Sequence, residues 1–119
     1  MNVLVVDDSR TMRDLVTREL CKEGYDVETA EDGVDALKKV SGFQPKVVIT
    51  DLNMPRMDGL QLTKALRARP ETRYIPIIFL TTESGGELRQ AAREAGATGW
   101  IVKPFDGPKL CAAVRRVSS

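Results

Sequence analysis

The sequence predicts an α/β fold, five strand–helix repeats that build one parallel sheet with helices on both faces. Three observations predict it. Short, solid runs rich in Val and Ile alternate with longer stretches whose apolar residues recur at helical spacing. Runs that are apolar throughout suit strands buried on both faces, as parallel strands are. Glycines stand where the helical stripes should end, and prolines stand at strand entries.

The elements follow in order. Strand one is Val3–Val6, and Asp7 and Asp8 come directly after it. Met12, Leu15, Val16 and Leu20 make the first helical stripe, with Ser9 as its cap and Gly24 as its stop. Asp26–Ala30 (DVETA) alternates, which suits an edge strand. Val34, Leu37 and Val40 make the second stripe, and Gly42 is its expected stop. Pro45 leads into strand three, Val47–Ile49. Leu62, Ala65 and Leu66 make the third stripe. Strand four spans Ile75 to Leu80, broken by Pro76. Ser84-Gly85-Gly86 delays the fourth helix, because each Gly costs about 1 kcal/mol against Ala in a helix interior. That helix is expected to start near Gly86 or Glu87, carry Leu88, Ala91, Ala92 and Ala95, and stop at Gly96. The Thr82–Gly86 loop before it is expected to be mobile without phosphate. Strand five is the apolar run Trp100–Val102, and Leu110, Ala113, Val114 and Val117 make the fifth stripe, ending near Val117. Right-handed crossovers then give the flavodoxin-like (βα)5 order 2-1-3-4-5, with the switch point between strands one and three. Residues 1–119 read as a single domain.

Composition limits the function. The 119 residues carry 18 Lys+Arg against 17 Asp+Glu, a formal net charge of +1. That balance gives no reason to expect nucleic acid or an anionic membrane as partner. There is no histidine. Ser-His-Asp hydrolysis, Cys-His proteolysis and His-based zinc sites are therefore excluded on this chain. A histidine phosphodonor would have to come from another molecule. Cys21 and Cys111 fit no metal spacing and read as two buried thiols. Met1–Val6 is too short for a signal peptide, and no run approaches membrane-spanning length. A soluble, cytoplasmic monomer is expected.

In open parallel sheets, ligands bind beyond the carboxyl ends of the strands at the switch point. Asp7 and Asp8 follow strand one, Asp51 strand three, Thr81 and Thr82 strand four, and Lys103 strand five. Three carboxylates, a hydroxyl and an ammonium should converge on one rim. Clustered carboxylates repel and should raise each other's pKa values, which a bound cation relieves. Every candidate ligand is oxygen, so the expected ion is Mg²⁺ rather than Zn²⁺. A carboxylate beside Mg²⁺ can accept a phosphoryl group. Asp51 stands alone, which suits attack; the adjacent pair Asp7-Asp8 suits direct and water-mediated metal binding. Lys103 adds positive charge. The Thr81 hydroxyl can donate to a phosphoryl oxygen once one is present.

Four stretches, VLVVDDS at 3–9, VVITDLNMPRMDG at 47–59, FLTTE at 79–83 and GATGWIVKPF at 96–105, make the chain similar to a response-regulator receiver domain over essentially its whole length. The resemblance implies a two-component phosphorelay in which a histidine kinase is the phosphodonor and Asp51 the phosphoacceptor. It implies Asp8 and Asp51 as side-chain Mg²⁺ ligands, the Asn53 backbone carbonyl as another, and Asp7 acting through water. Thr81 takes the switch-hydroxyl position, Lys103 the phosphate-binding position and Trp100 the switch-aromatic position. Asn53 and Glu83 stand where dephosphorylation is tuned, and the Lys103–Pro104 bond is expected to be cis. Trp100 is bulkier than the usual Tyr or Phe, suits the strand-five core, and brings an N–H that needs a partner when buried. Gly59 reads as a backbone device with no chemistry.

The tail KLCAAVRRV, with the GATGWIVKPF run, is most similar to stand-alone chemotaxis response regulators. That implies a phosphorylation-activated switch whose target is a flagellar motor switch protein, catalysing only its own phosphorylation and dephosphorylation. Two alternatives stand beside it: a receiver cut from a longer transcriptional regulator, and a Mg²⁺-dependent phosphatase with an Asp nucleophile. The phosphatase would want an acid two residues after the nucleophile, where this chain has Asn53.

Overall fold

The computed structural model describes residues 1–118. Five strands alternate with five helices: β1 (Asn2–Val6), α1 (Arg10–Lys22), β2 (Asp26–Ala30), α2 (Gly33–Phe43), β3 (Val47–Thr50), α3 (Gly59–Ala68), β4 (Ile77–Thr81), α4 (Gly86–Ala95), β5 (Gly99–Val102) and α5 (Gly107–Ser118). The strands are all parallel and lie in the order β2-β1-β3-β4-β5. This is the expected flavodoxin-like topology.

Strand alternation splits the core in two. Leu4, Val6, Val48, Ile77 and Phe79 pack under α2, α3 and α4 against Ala36, Val40, Leu62, Leu66 and Ala92. Val3, Val5, Val47, Ile49, Ile78 and Leu80 pack under α1 and α5 against Val16, Leu20, Leu110 and Val114. Both faces of the three central strands are therefore covered, which is why those strands read as unbroken apolar runs.

Most local signals act as expected. The Ser9 hydroxyl accepts from the Met12 N–H at 3.3 Å and caps α1. Asp58 and Gln61 form a capping box at the start of α3. Gly24 and Gly96 take left-handed φ of +86° and +114° after α1 and α4. Helix α4 opens at Gly86, preceded by Gly85 with no side-chain cap.

Four details differ. Gly42 lies inside the last turn of α2; the stop is Gln44, at φ 52°, directly before Pro45, into which a helix cannot continue. Strand β4 begins at Ile77, after Pro76, so Ile75 lies outside it. Strand β5 is half-buried and Val102 is exposed, because β5 pairs on one side only. Cys111 is buried but Cys21 is exposed, so the pair of buried thiols is one. Among the described residues no helix is long and apolar enough to cross a membrane.

Gly59 begins α3 directly beneath the end of β3. Its N–H donates to the Leu52 carbonyl at 2.8 Å. A Cβ there would overlap the Asp51 carbonyl oxygen and approach the Phe79 ring to 2.9 Å. Gly59→Ala should lower stability by about 2–3 kcal/mol through overpacking. Gly42→Ala, where a Cβ meets nothing within 4 Å, should raise it by about 0.5–1 kcal/mol. Urea unfolding of the two variants checks both, and an unchanged midpoint for Gly59→Ala would remove the crowding argument.

Candidate functional site

The sheet's own hydrogen-bond ladder carries the site residues. One residue past β1, the Asp7 N–H donates to the Ala30 carbonyl at 3.0 Å. One residue past β3, the Asp51 N–H donates to the Val6 carbonyl at 2.9 Å. One residue past β5, the Lys103 N–H donates to the Thr81 carbonyl at 2.8 Å. Residues spread over nearly a hundred positions thus meet at one rim. One carboxylate oxygen each from Asp7, Asp8 and Asp51 lie within 4.8 Å of one another. Asp7 is buried, Asp51 half-buried and Asp8 exposed.

The Lys103 ammonium donates to Asp7 Oδ2 at 2.8 Å and to Asp51 Oδ2 at 3.1 Å. The other oxygens are held by backbone: Asp7 Oδ1 accepts from the Ser9 N–H at 2.9 Å, and Asp51 Oδ1 from the Leu52 N–H at 2.7 Å. Arg13 Nη1 donates to the Asp7 carbonyl at 2.8 Å and fixes the main chain between the two acids. The Lys103–Pro104 bond is cis.

Burial raises the Asp7 carboxyl above its ordinary range; the bonds from Lys103 and the Ser9 N–H only partly offset it, and repulsion from Asp51 is the smallest contributor. Mutual repulsion was the expected cause. Loss of water is the actual one, because an ammonium stands between Asp7 and Asp51. Burial would lower the Lys103 amine, but its bonds to Asp7 and Asp51 prevail and hold it above its usual value.

A second group lies across β4. The buried Thr81 hydroxyl oxygen accepts a long bond, 3.4 Å, from the Glu83 N–H. Glu83 Oε1 accepts from Asn53 Nδ2 at 3.2 Å, and the Glu83 carbonyl accepts from Trp100 Nε1 at 3.1 Å. The indole stacks on the Phe79 ring, centroids 5.5 Å apart. The indole N–H foreseen as needing a partner finds it in the loop before α4. Glu83 therefore joins Asn53, Thr81 and Trp100, so the loop is tied at Glu83. Ser9, Arg13 and the Arg56–Asp32 pair beside the site have no role in the sequence reading beyond Ser9's cap. The bare run of strand-end residues shows none of them.

The donor set fits a hard divalent cation: every candidate ligand is oxygen, with no histidine in the chain. Three carboxylates and one ammonium leave two negative charges uncancelled, which one divalent ion would match.

Residues 3–115 match the family described as response regulator receiver domain. Chemotaxis protein CheY1 of Helicobacter pylori is 49% identical over 107 residues, 88% of this chain and 86% of that protein. Response regulator MprA of Mycobacterium avium is 39% identical over 115 residues, 97% of this chain and 50% of that protein. The solved structure of Vibrio cholerae chemotaxis protein CheY4 superposes with a TM-score of 0.93 at 44% identity, covering 98% of this chain and 97% of that one.

The raised Asp7 carboxyl means that the native state takes up its proton more readily than the unfolded chain. Native stability therefore rises as pH falls through the folded-state pKa toward 3.8. Asp7→Asn keeps the acceptor for the Ser9 N–H without the buried charge. Without divalent cation it should be about 1 kcal/mol more stable than the parent at pH 7. The gain should vanish below pH 3.8, where Asp7 is protonated in both states. Urea unfolding across pH checks this; a variant less stable than the parent at pH 7 would overturn the assignment of burial as the cause.

Proposed function

The chain belongs to the response regulator receiver domain family, phosphorylation-dependent signalling switches rather than conventional enzymes, and we propose that its switch runs on Asp51 with Mg²⁺ as cofactor. The observation that carries this reading is the Lys103 ammonium shared by Asp7 and Asp51, with Asp8 within reach of the same point.

The carboxylates of Asp7, Asp8 and Asp51, with the Asn53 backbone carbonyl, would hold the ion. When bound, it supplies positive charge to phosphoryl oxygens. This chain's own residues do the rest. An Asp51 carboxylate oxygen attacks the phosphorus of a phosphohistidine on a partner kinase. The new O–P bond forms as the P–N bond breaks, and the electron pair leaves with the imidazole. The Leu52 N–H orients the Asp51 carboxylate, and Lys103, already within bonding distance, neutralises the charge that arrives. Autophosphorylation and self-dephosphorylation are both reactions of this one carboxylate, with Asn53 and Glu83 standing over it to tune access of water.

Thr81 is the sensor. Its oxygen accepts the long bond from the Glu83 N–H, which leaves its own hydrogen to be donated to a phosphoryl oxygen, a charge-assisted acceptor. Turning the Thr81 hydroxyl toward phosphate loosens Glu83, and Glu83 holds Trp100. The signal then reaches the surface of α4, β5 and α5. The likeness to CheY1 and CheY4 supports a single receiver domain over residues 1–119, in a cytoplasmic monomer with a flagellar motor switch protein as target. The match to half of MprA supports a second reading, the receiver of a longer regulator.

The parent should be labelled by acetyl phosphate in the presence of Mg²⁺, and Asp51→Asn should take up none while keeping its circular dichroism. Addition of BeF₃⁻ with Mg²⁺ should change the fluorescence of Trp100, the one Trp in the chain, in the parent but not in the variant. Mass spectrometry showing a phosphorylated Asn variant would refute the assignment.

A further inference from the structure

The loop from Asp51 to Gly59 is closed at its base by the Gly59 N–H to Leu52 carbonyl bond. Its tip is exposed at Pro55 and Arg56 but is tied down. Arg56 takes a left-handed φ of 64°, costly for a residue with a Cβ. Around it the Met57 N–H donates back to the Pro55 carbonyl at 2.7 Å. The fold holds this strained tip against the β2–α2 turn by three contacts. Arg56 Nε donates to Asp32 Oδ2 at 2.7 Å. The Gly33 N–H donates to the Met57 carbonyl at 3.1 Å. The Met57 side chain fills the place a Cβ on Gly33 would take.

Asp32 is not an ordinary surface partner. Its side chain is 3% exposed. Its other oxygen accepts from the Asp35 N–H at 2.8 Å and caps α2. Burial would raise this carboxyl, yet the Arg56 bond and the Asp35 N–H hold it below its ordinary range. A surface ion pair adds little, but this pair anchors the loop on a buried, doubly bonded carboxylate. On its opposite side the loop is held through Asn53 Nδ2 and Glu83 Oε1. Asn53 therefore hangs between two tethers, three residues from Arg56 and two from Asp51.

We propose that Arg56 is a positioning residue for divalent-ion binding: its link to Asp32 fixes the β3–α3 loop, and with it the Asn53 carbonyl beside Asp51. This rests on the reading of the acidic cluster as a Mg²⁺ site.

The test titrates MgCl₂ into the full chain by calorimetry, for the parent, R56G, D32N and the double variant. R56G removes the guanidinium while suiting a φ of 64°, and an Asn at 32 keeps a capping oxygen. Each single variant should bind Mg²⁺ about tenfold more weakly, the low end for loss of an outer-shell partner. The double variant should lose no more than either alone, since both break one link. Without Mg²⁺, amide exchange across residues 53–57 should speed up in R56G, while its melting temperature stays near the parent's. Parent-like Mg²⁺ affinity in R56G overturns the proposal, as does an additive loss in the double variant. A parent that binds no Mg²⁺ overturns the metal reading and this inference together. A parent that binds while R56G binds equally well overturns the role of Arg56 alone.

Discussion

One ammonium between two carboxylates is the interaction on which the site depends. Two unit charges 4.8 Å apart repel by about 3 kcal/mol at an effective dielectric of 20. A domain of this size is stable by only about 5–15 kcal/mol in total. Three carboxylates on neighbouring strand ends would therefore take a large share of that margin. Lys103 offsets that repulsion for two of them, bonding Asp7 and Asp51 at 2.8 and 3.1 Å, although burial still holds the Asp7 carboxyl above its ordinary range. Asp8 escapes the problem by facing water. The arrangement stays two charges short of neutral, a shortfall that one divalent cation would match.

The sheet makes this arrangement cheap to build. Parallel pairing puts the carboxyl ends of β1, β3, β4 and β5 on one side, and the ladder runs one residue beyond β1, β3 and β5 into Asp7, Asp51 and Lys103. The fold was legible for the same reason. Strands covered on both faces leave solid apolar runs, and the order follows from crossover handedness. What was misread lies where a local signal competes with context. Gly42 is a good stop by composition, yet Pro45 decides where α2 ends. Trp100-Ile101-Val102 is apolar enough for a central strand, yet its place in the order makes it an edge. Cys21 is apolar by type but falls on the outer side of α1.

The residues that stand at strand ends were legible because one position in the sequence suffices to place each of them. The links between them were not. That Lys103 bonds Asp7 as well as Asp51, and that Trp100 finds its acceptor in the Glu83 carbonyl, depend on side-chain reach across 96 and 17 positions. Composition and periodicity carry no such distances. Charge counting also misled on cause: three acids suggest repulsion, whereas burial dominates at Asp7 once the ammonium is in place. The Arg56–Asp32 link is hidden in the same way, since 24 positions separate the two residues.

The rigid and yielding parts of the site are separated by how their backbones are held. Asp7, Asp51 and Thr81 sit on or directly beyond buried strands and cannot move far without breaking the ladder. Helix α4 is held unequally. At its far end the Gly96 carbonyl accepts from both Arg67 Nε and Nη2, at 3.1 and 2.8 Å, while Arg67 Nη1 donates to the Arg73 and Ile75 carbonyls. At its near end Gly85 offers no side-chain cap, and Gly86 brings no side chain to pack. Just before the helix, Glu83 is held by Trp100 through its carbonyl and by Asn53 through its carboxylate, and Leu88 of the first turn packs against the core. The start of α4 therefore has fewer side-chain hydrogen bonds than its end. The end of α4 nearest Asp51 is the less firmly bonded one, and Trp100 links it to the edge strand β5 through the Glu83 carbonyl.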